Sequence, residues 1–591
     1  MGRYYMNIID NYEGHIFESN RFSIFGLMLG FGLLLLLFGS CTADIFTAIA
    51  DMQRMLASEK GISNIIESYI QEEQHRLDEL KKFADEYSIR NKDAADVGPD
   101  FVSNPINAYL LIKRLTSEWK RVEDIMRENL ADKYIQNITE NRERNQVKFP
   151  EEEDLSGAAI AILRLQDVYK LESADLAEGI IMGEKVAHSL TAHDCFEVGR
   201  AAYNQRDYYH TLTWMQTALN KLENEEEETV EEAEILEYLA YALYQQGNIR
   251  RALALTKRLA VLAPNHPRAK GNVKWYEDRL ESKDLEGELP PIVNKRVEND
   301  GIVERDAYEA LCRGEAPKVD PSEEKLLYCY LKMDRPFLRL APIKVEILRL
   351  DPLAVLFKEV MSEEEMEVIK TAAIPKLKRA TVQNAKTGDL ELADYRISKS
   401  AWLKDEEHEV VARINRRIED MTNLNQKTSE DLQIANYGIG GHYAPHFDMS
   451  TRGEKEPYRV NGNRIATKEE INAFKTLNTG NRLATVLFYM TKPERGGATV
   501  FNHLGTAVFP SKSDALFWYN LMRSGEGDLR TRHAACPVLL GVKWVSNKWI
   551  HERGQEFTRP CGLDETVQEY YVGDLSPYTH GIRHKYNVSN L

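Results

Sequence analysis

The sequence predicts a multidomain α + β protein, helical at first and β-rich in its C-terminal third. Three observations carry that prediction. From residue 44 onward, apolar residues recur at helical spacing. Between about 192 and 280 the helices come in pairs of similar pattern. Beyond about 343 the period shortens to alternating runs bounded by Gly and Pro, as in the strands of a sandwich or barrel. A chain of 591 residues suggests several domains, and 43% hydrophobic with 29% charged residues is an ordinary globular composition. The net charge of −17 leaves no basic excess to neutralise phosphates, so nucleic acid is not expected as a partner.

The first element is a nearly uncharged apolar run from Phe22 to Ser40, followed by the small side chains of Cys41-Thr42-Ala43. It reads as a secretory signal cleaved after Ala43, with a retained membrane anchor as the alternative. Residues 44–188 form the expected helical region. Ile62, Ile65, Ile66, Tyr69 and Ile70 share one face, a break spans Asp93 to Pro105, and a second helical stretch runs from about Ile106 to Met126. With no catalytic residue types, this region is read either as an association module or as a bundle that merely folds.

Residues 189–285 carry the repeat. Tetratricopeptide units place small residues where two helices cross and often end on proline. Leu239, Ala240, Gly247, Ala252 and Pro264 fit one unit, and Gly199 with Ala218 a weaker one. Tyr203, Tyr208, Tyr209, Tyr238, Tyr241, Tyr244, Tyr276, Trp214 and Trp275 enrich the same stretch in aromatics. Tyr238, Tyr241 and Tyr244 share a helix side. Arg268, Asn272 and Trp275 fall at i, i+4 and i+7. Aromatic faces with nearby donors suit a polyproline II chain, whose carbonyls are free to accept hydrogen bonds. The competing reading packs most of these tyrosines in the repeat's core. Residues 286–342, with Pro290-Pro291 and much charge, read as a linker with some local structure.

In the last third, 343–591, one of the 14 histidines is followed two positions later by aspartate: His446-Phe447-Asp448. On a strand, positions i and i+2 share a face, so both can reach one metal. His533 would complete a two-histidine, one-carboxylate triad that leaves positions open for a co-substrate and oxygen. A turn at Pro537 would bring Lys543 to the same cavity, where an ammonium can pair with the distal end of a dicarboxylate. His442 is expected to be peripheral and His551 structural.

Without the signal five cysteines remain, and an odd count leaves at least one thiol over. Pairing Cys312 with Cys329 and Cys536 with Cys561 closes two short loops and leaves Cys195. Asn137 and Asn587 open glycosylation sequons. The final Val588-Ser589-Asn590-Leu591 is not a retention signal, so residence in the endoplasmic reticulum would need a partner carrying one.

The run Tyr437-Gly438-Ile439-Gly440-Gly441-His442-Tyr443-Ala444-Pro445-His446-Phe447-Asp448 resembles the iron motif of collagen prolyl 4-hydroxylase α subunits. So do Arg532-His533-Ala534-Ala535-Cys536-Pro537 and the stretch from Lys543 to Trp549. The resemblance covers nearly the whole chain after the signal. It implies a helical dimerisation region, a tetratricopeptide-like peptide-binding domain and a double-stranded β-helix (jelly-roll) catalytic domain. It implies Fe(II) on His446, Asp448 and His533, and 2-oxoglutarate held by Lys543 with Tyr443 and Thr499 nearby. Tyr437 and Arg482 are implied on the catalytic, substrate side, and Tyr203, Tyr238, Tyr241, Arg268, Asn272 and Trp275 in the peptide groove. Trp275 stands where the family usually has tyrosine. The implied reaction is 4-hydroxylation of proline in X-Pro-Gly repeats of procollagen-like chains, coupled to decarboxylation of 2-oxoglutarate to succinate, with O2 consumed and ascorbate as reductant. The implied partners are protein disulfide isomerase and a second α subunit, in the endoplasmic reticulum lumen. The resemblance also supports the cysteine pairing above. One departure is that residues 462–467 nearly repeat 480–485. Only the second copy leads into an apolar strand, so Arg482 takes the functional role and the first copy is read as a loop insertion. A hydroxylase of lysine or of non-collagen peptides, and a scaffold without turnover, are the rival readings. The complete set His446, Asp448, His533 and Lys543 argues against the scaffold, and the aromatic groove against lysine.

Overall fold

A computed structural model describes residues 45–591 apart from 145–147, 281–287, 299, 384–389, 393–394, 451–458, 461–462, 465–477, 564–565, 568, 570–571 and 575–591. The apolar run Phe22–Ser40, the cleavage point expected after Ala43 and the sequon at Asn587 lie outside the described residues. Among the described residues no helix is long and apolar enough to cross a membrane.

The N-terminal region is helical, as its periodicity requires. The helix Ile62–Val97 runs for 36 residues and buries none of them fully. The break is shorter than expected. The helix continues to Val97, Gly98 stops it at a φ of 79°, and the Asn104 side chain accepts from the Ile106 N–H to start the next helix, Pro105–Lys113. Helix Ala131–Arg144 lies across the long helix through the Tyr69–Tyr134 ring contact and carries Asn137 on its exposed side.

The repeat domain consists of helices Ala192–Asn204, Tyr208–Leu222, Glu232–Gln245, Ile249–Leu262 and Ala269–Glu277. Small residues sit where the helices cross. A Cβ on Gly199 would lie 3.0 Å from Met215, and Ala218, Ala242 and Ala252 are fully buried. Gly247 turns the chain at a φ of 87°, a conformation that side chains resist.

The C-terminal domain is built on two sheets. The larger has nine strands, in the order Cys329–Lys332, Ile343–Leu350, Leu353–Lys358, Ala515–Tyr519, Arg482–Tyr489, Lys543–His551, Leu432–Tyr437, Lys399–Leu403 and Lys378–Arg379. The smaller runs Tyr443–His446, His533–Ala535, Thr499–Phe501, Thr506–Val508. Leu356, Tyr437, Leu487 and Tyr489 of the large sheet meet Phe501 and Val508 of the small one in a shared apolar layer. Helices Glu363–Ala373 and Glu409–Thr422 cover the other face of the large sheet through Met366, Ile369, Ile414 and Ile418. This is the double-stranded β-helix arrangement.

Earlier segments complete the domain. The outer face of the small sheet is covered by helices Glu152–Tyr169 and Arg305–Cys312, whose Leu165, Val168, Tyr308 and Leu311 pack on Val500 and Ala534. Residues 45–51 pack on the loop after Tyr437. The Ile439 N–H donates to the Phe46 carbonyl, the Ala50 N–H donates to Asn436, and Asp51 pairs with Lys399. Within the expected linker, Cys329–Lys332 forms the edge strand of the large sheet.

The cysteine pairing differs from expectation. Cys312 bonds Cys536, while Cys329 and Cys561 are free and exposed and Cys195 is free and buried. Cys312 ends the helix that lies on the small sheet, and Cys536 follows that sheet's His533–Ala535 strand. Their Cα atoms are 5.5 Å apart across 224 residues of sequence. Cys329 starts an edge strand of the other sheet. Proximity in sequence misled because the covering helix belongs to the small sheet.

Candidate active site

Two rows of side chains run across the small sheet. His446 pairs with His533, and His533 with Phe501. Two residues along on the other strands, and three along on the first, where the register shifts, Tyr443 pairs with Ala535, and Ala535 with Thr499. The strand ends at His446, so Asp448 stands on the following turn rather than on the strand, yet it is buried and reaches the same point. Phe447 turns away and packs under the Arg532 guanidinium.

His446 Nε2 lies 3.7 Å from Asp448 Oδ1, and His533 Nε2 lies 3.6 Å from Asp448 Oδ2. Ligand atoms of all three lie within 4.8 Å of one another. Each ring has its other nitrogen against a backbone carbonyl: His446 Nδ1 at 2.8 Å from Ala444 O, His533 Nδ1 at 3.0 Å from Thr531 O. A carbonyl only accepts, so both rings carry the proton on Nδ1 and turn a free Nε2 lone pair to the centre. Burial, with His533 beside it, holds the His446 imidazole well below its ordinary pKa and so neutral. Burial works against the Asp448 carboxylate, but His533, His446 and Arg482 outweigh it and hold the group at about 2. Two imidazoles and one carboxylate, all aimed inward, are the donor set that Fe(II) takes in a facial triad.

The large sheet, where Lys543 pairs with Tyr437, adds an amine. Lys543 is buried, its Nζ donates to Gly497 O at 2.7 Å, and it lies 4.9 Å from the centre of the Tyr437 ring. No carboxylate pairs with it among the described residues, and burial lowers it to about 7. Thr499 accepts a hydrogen bond from Tyr489 OH at 2.9 Å, and the Tyr443 ring stacks on His446 at 3.4 Å. A buried ammonium without a carboxylate partner, beside a metal-ligand set, suits an acid that chelates at one end and carries a second carboxylate at the other. Tyr437 therefore sits at the Lys543 end of the cavity. Arg482 is held by Glu430 through two hydrogen bonds, lies 3.9 Å over the Trp549 ring and donates to the Asp448 carbonyl. His551 braces Glu430, as its structural reading anticipated, and His442 is outside the triad. The first copy of the duplicated motif lies largely outside the described residues. Its Asn463–Arg464 pairs with Arg459–Val460 as a short hairpin.

Three family models match the chain. The N-terminal region of the prolyl 4-hydroxylase alpha-subunit matches 48–183, the prolyl 4-hydroxylase peptide-substrate-binding domain 192–282, and the 2OG-Fe(II) oxygenase superfamily 432–551. Prolyl 4-hydroxylase subunit alpha-2 of Caenorhabditis elegans is 70% identical over 93% of this chain and 99% of its own length. The alpha-1 subunit of the same organism is 52% identical over 94% and 97%, and that of Homo sapiens 46% over 88% and 96%. The chain belongs to the prolyl 4-hydroxylase α-subunit family. Its oxygenase domain uses Fe(II), 2-oxoglutarate and O2, and ascorbate is typical of the family.

The peptide-substrate-binding domain, residues 192–282, presents the aromatic strip. Tyr203 meets Tyr238 at 4.8 Å and Tyr241 at 5.7 Å, both edge to face, and Tyr208 meets Tyr241 at 5.8 Å. These rings and Tyr244 are half-buried, whereas Trp214 and Tyr276 are core. Arg268 is exposed and pairs with Glu237, and Asn272 is half-buried one turn on. Trp275, half exposed, donates its indole N–H to Tyr244 OH. Of the six residues expected in the groove, Tyr203, Tyr238 and Tyr241 are thus in ring contact, and Trp275 reaches the strip through Tyr244, which with Tyr208 extends it. Glu430, Thr485 and Asn520 around the triad escaped sequence reading altogether, because no local pattern marks a polar residue turned inward on a central strand or just beyond its end.

Proposed function

We propose that this chain 4-hydroxylates proline in X-Pro-Gly repeats of procollagen-like chains, coupled to conversion of 2-oxoglutarate to succinate and carbon dioxide. The observation that carries it is one chain holding both an inward-facing His446, Asp448 and His533 set with Lys543 beside it and an aromatic strip that suits polyproline II. His446, Asp448 and His533 hold the iron. Fe(II), when bound, supplies the oxidative chemistry. Lys543 takes the far carboxylate of 2-oxoglutarate, with Thr499 and Tyr443 along its length. Arg482 faces the peptide, while Tyr437 stands beside Lys543 at the co-substrate end, against the apolar layer of Leu487, Val508 and Val545. Tyr203, Tyr238, Tyr241, Arg268, Asn272 and Trp275 hold a neighbouring segment of the same proline-rich chain. The reading is tested by succinate release from 2-oxoglutarate with and without a (Pro-Pro-Gly) repeat peptide. Release that rises with the peptide and with 4-hydroxyproline supports it, and release indifferent to the peptide overturns it.

The same reading places the protein in the endoplasmic reticulum lumen, with the 1–43 signal removed and Asn137 and Asn587 glycosylated. It assembles with protein disulfide isomerase, which carries the retention signal, and with a second α subunit. Support for self-association comes from the apolar side chains that the N-terminal helices expose: Ile66, Ile70, Tyr109, Ile112, Leu115 and Trp119.

A further inference from the structure

Behind the triad, four buried side chains form a line of hydrogen bonds. Trp518 Nε1 donates to Asn520 Oδ1 at 2.8 Å. Asn520 Nδ2 donates to Thr485 Oγ1 at 2.9 Å. Thr485 Oγ1 reaches Asp448 Oδ2 at 2.7 Å. None of the four is more than 5% exposed. The direction of the line is fixed from its far end. An indole N–H only donates, so it fixes the oxygen of the Asn520 amide and turns the nitrogen toward Thr485. An amide nitrogen also only donates, so the Thr485 oxygen accepts, and its single proton is left for Asp448. The line starts on rigid ground. Thr485 and Trp518 face each other in register on neighbouring strands of the large sheet. Asp448, by contrast, stands on a turn past the end of its strand.

We propose that Thr485 is a positioning residue for the metal-binding carboxylate, oriented by Asn520 and Trp518. The inference rests on reading His446, Asp448 and His533 as the ligands. It adds how the one ligand that lies off the sheet is held ready before the metal arrives. Both oxygens lie equally near a histidine, Oδ1 3.7 Å from His446 Nε2 and Oδ2 3.6 Å from His533 Nε2, so the Thr485 proton on Oδ2 is what leaves Oδ1 the oxygen offered to the metal. The carboxylate then binds through a single oxygen, which keeps the remaining positions open for 2-oxoglutarate and O2.

The test is Co(II) affinity of the full-length protein by equilibrium dialysis, a readout independent of turnover. Thr485→Val keeps the side-chain shape and removes the hydroxyl. Thr485→Ala removes it without placing a second methyl beside the carboxylate, and carries the test if valine is not tolerated. Both are expected to weaken Co(II) binding by about 10- to 100-fold, the usual effect of losing a partner of a metal ligand. Thr485→Ser, which keeps the hydroxyl, is expected to bind as the parent does. Asp448→Ala separates this inference from the one beneath it. Parent-like Co(II) binding in the valine and alanine variants, with binding lost in Asp448→Ala, overturns the role of Thr485 and leaves the triad standing. Weakened binding that serine does not restore also overturns it, since the site then needs the threonine shape and not its proton. Parent-like binding in Asp448→Ala overturns the triad reading itself.

Discussion

Lys543 is the residue whose chemistry depends most on its surroundings. Burial lowers it to about 7, against about 10.4 for an exposed lysine. The cation is the form that meets a carboxylate. Above pH 7 the empty site is increasingly neutral and must take up a proton to bind 2-oxoglutarate, so the apparent Kd for 2-oxoglutarate should rise toward tenfold per pH unit. Calorimetry in buffers of different ionisation enthalpy should find proton uptake approaching one above pH 7, and none in Lys543→Ala. That variant should also raise the 2-oxoglutarate KM by about 10- to 100-fold, the worth of a charged hydrogen bond, with the metal still bound. His533→Ala and Asp448→Ala should abolish turnover and metal binding while leaving the metal-free Tm close to the parent's, because these ligands line a cavity and do not fill the core. Turnover in either variant would remove the triad. The triad and Lys543 were legible because iron and a dicarboxylate constrain residue types and because the flanking runs resemble a known motif. Arg482's grip on Glu430 was not legible: 52 residues separate them, and only the sheet brings them together.

At the scale of elements, periodicity foretold the helices and alternation the strands, but neither says which surface an element covers. Helix Arg305–Cys312 shows the cost. Its sequence sits in a charged stretch that reads as linker, yet its buried Tyr308 and Leu311 cover the small sheet and its last residue forms the disulfide. Non-reducing peptide mapping should therefore find Cys312 joined to Cys536. Brief alkylation of the folded protein should label Cys329 and Cys561 and spare Cys195, which burial both hides and pushes up to about 12. A Cys312–Cys329 peptide would refute the packing described here. The repeat helices carry their own prediction. A long proline-rich chain can hold the groove with one segment while another reacts, which makes the second contact intramolecular. Tyr241→Ala or Arg268→Ala should raise KM for long (Pro-Pro-Gly) repeats by the equivalent of roughly 1–3 kcal/mol and leave kcat nearly unchanged. Tripeptides should be indifferent. Equal losses for short and long peptides would make the strip a support for the fold and not a groove.

Over the whole molecule, helix Glu152–Tyr169 ties the two working parts together. Toward the repeat, Gln166 accepts from the Trp214 indole and Asp167 meets His210. Toward the oxygenase domain, Arg164 donates to the Gly440 carbonyl and Tyr169 OH to Pro537 O. The approach is close enough that a Cβ on Gly440 would lie 2.8 Å from the Ala161 carbonyl. The oxygenase domain is thus not one continuous stretch of sequence, and residues 45–51 belong to it as surely as its strands do. Deleting 45–51 removes three hydrogen bonds, from Ile45 N–H to Asp154, from Ile439 N–H to the Phe46 carbonyl and from Ala50 N–H to Asn436, together with the Asp51–Lys399 pair. It should cost roughly 2–4 kcal/mol, read as a lower Tm, while peptide affinity in the groove is unchanged. An unaltered Tm would show the segment to be a passenger. The same contact also sets a clock on biosynthesis. Ala50 leaves the ribosome 386 residues before Asn436, its partner. At 5–20 residues per second that is an interval of roughly 20–80 s. Helix Glu152–Tyr169, whose Asp154 accepts from the Ile45 N–H and whose Gly157 lies against the Phe46 ring, is made sooner, but the side of the segment that meets Asn436 and Ile439 stays uncovered throughout. The first segment of the domain to be made is the last to be housed, and for that minute its custody falls to whatever chaperones the growing chain meets.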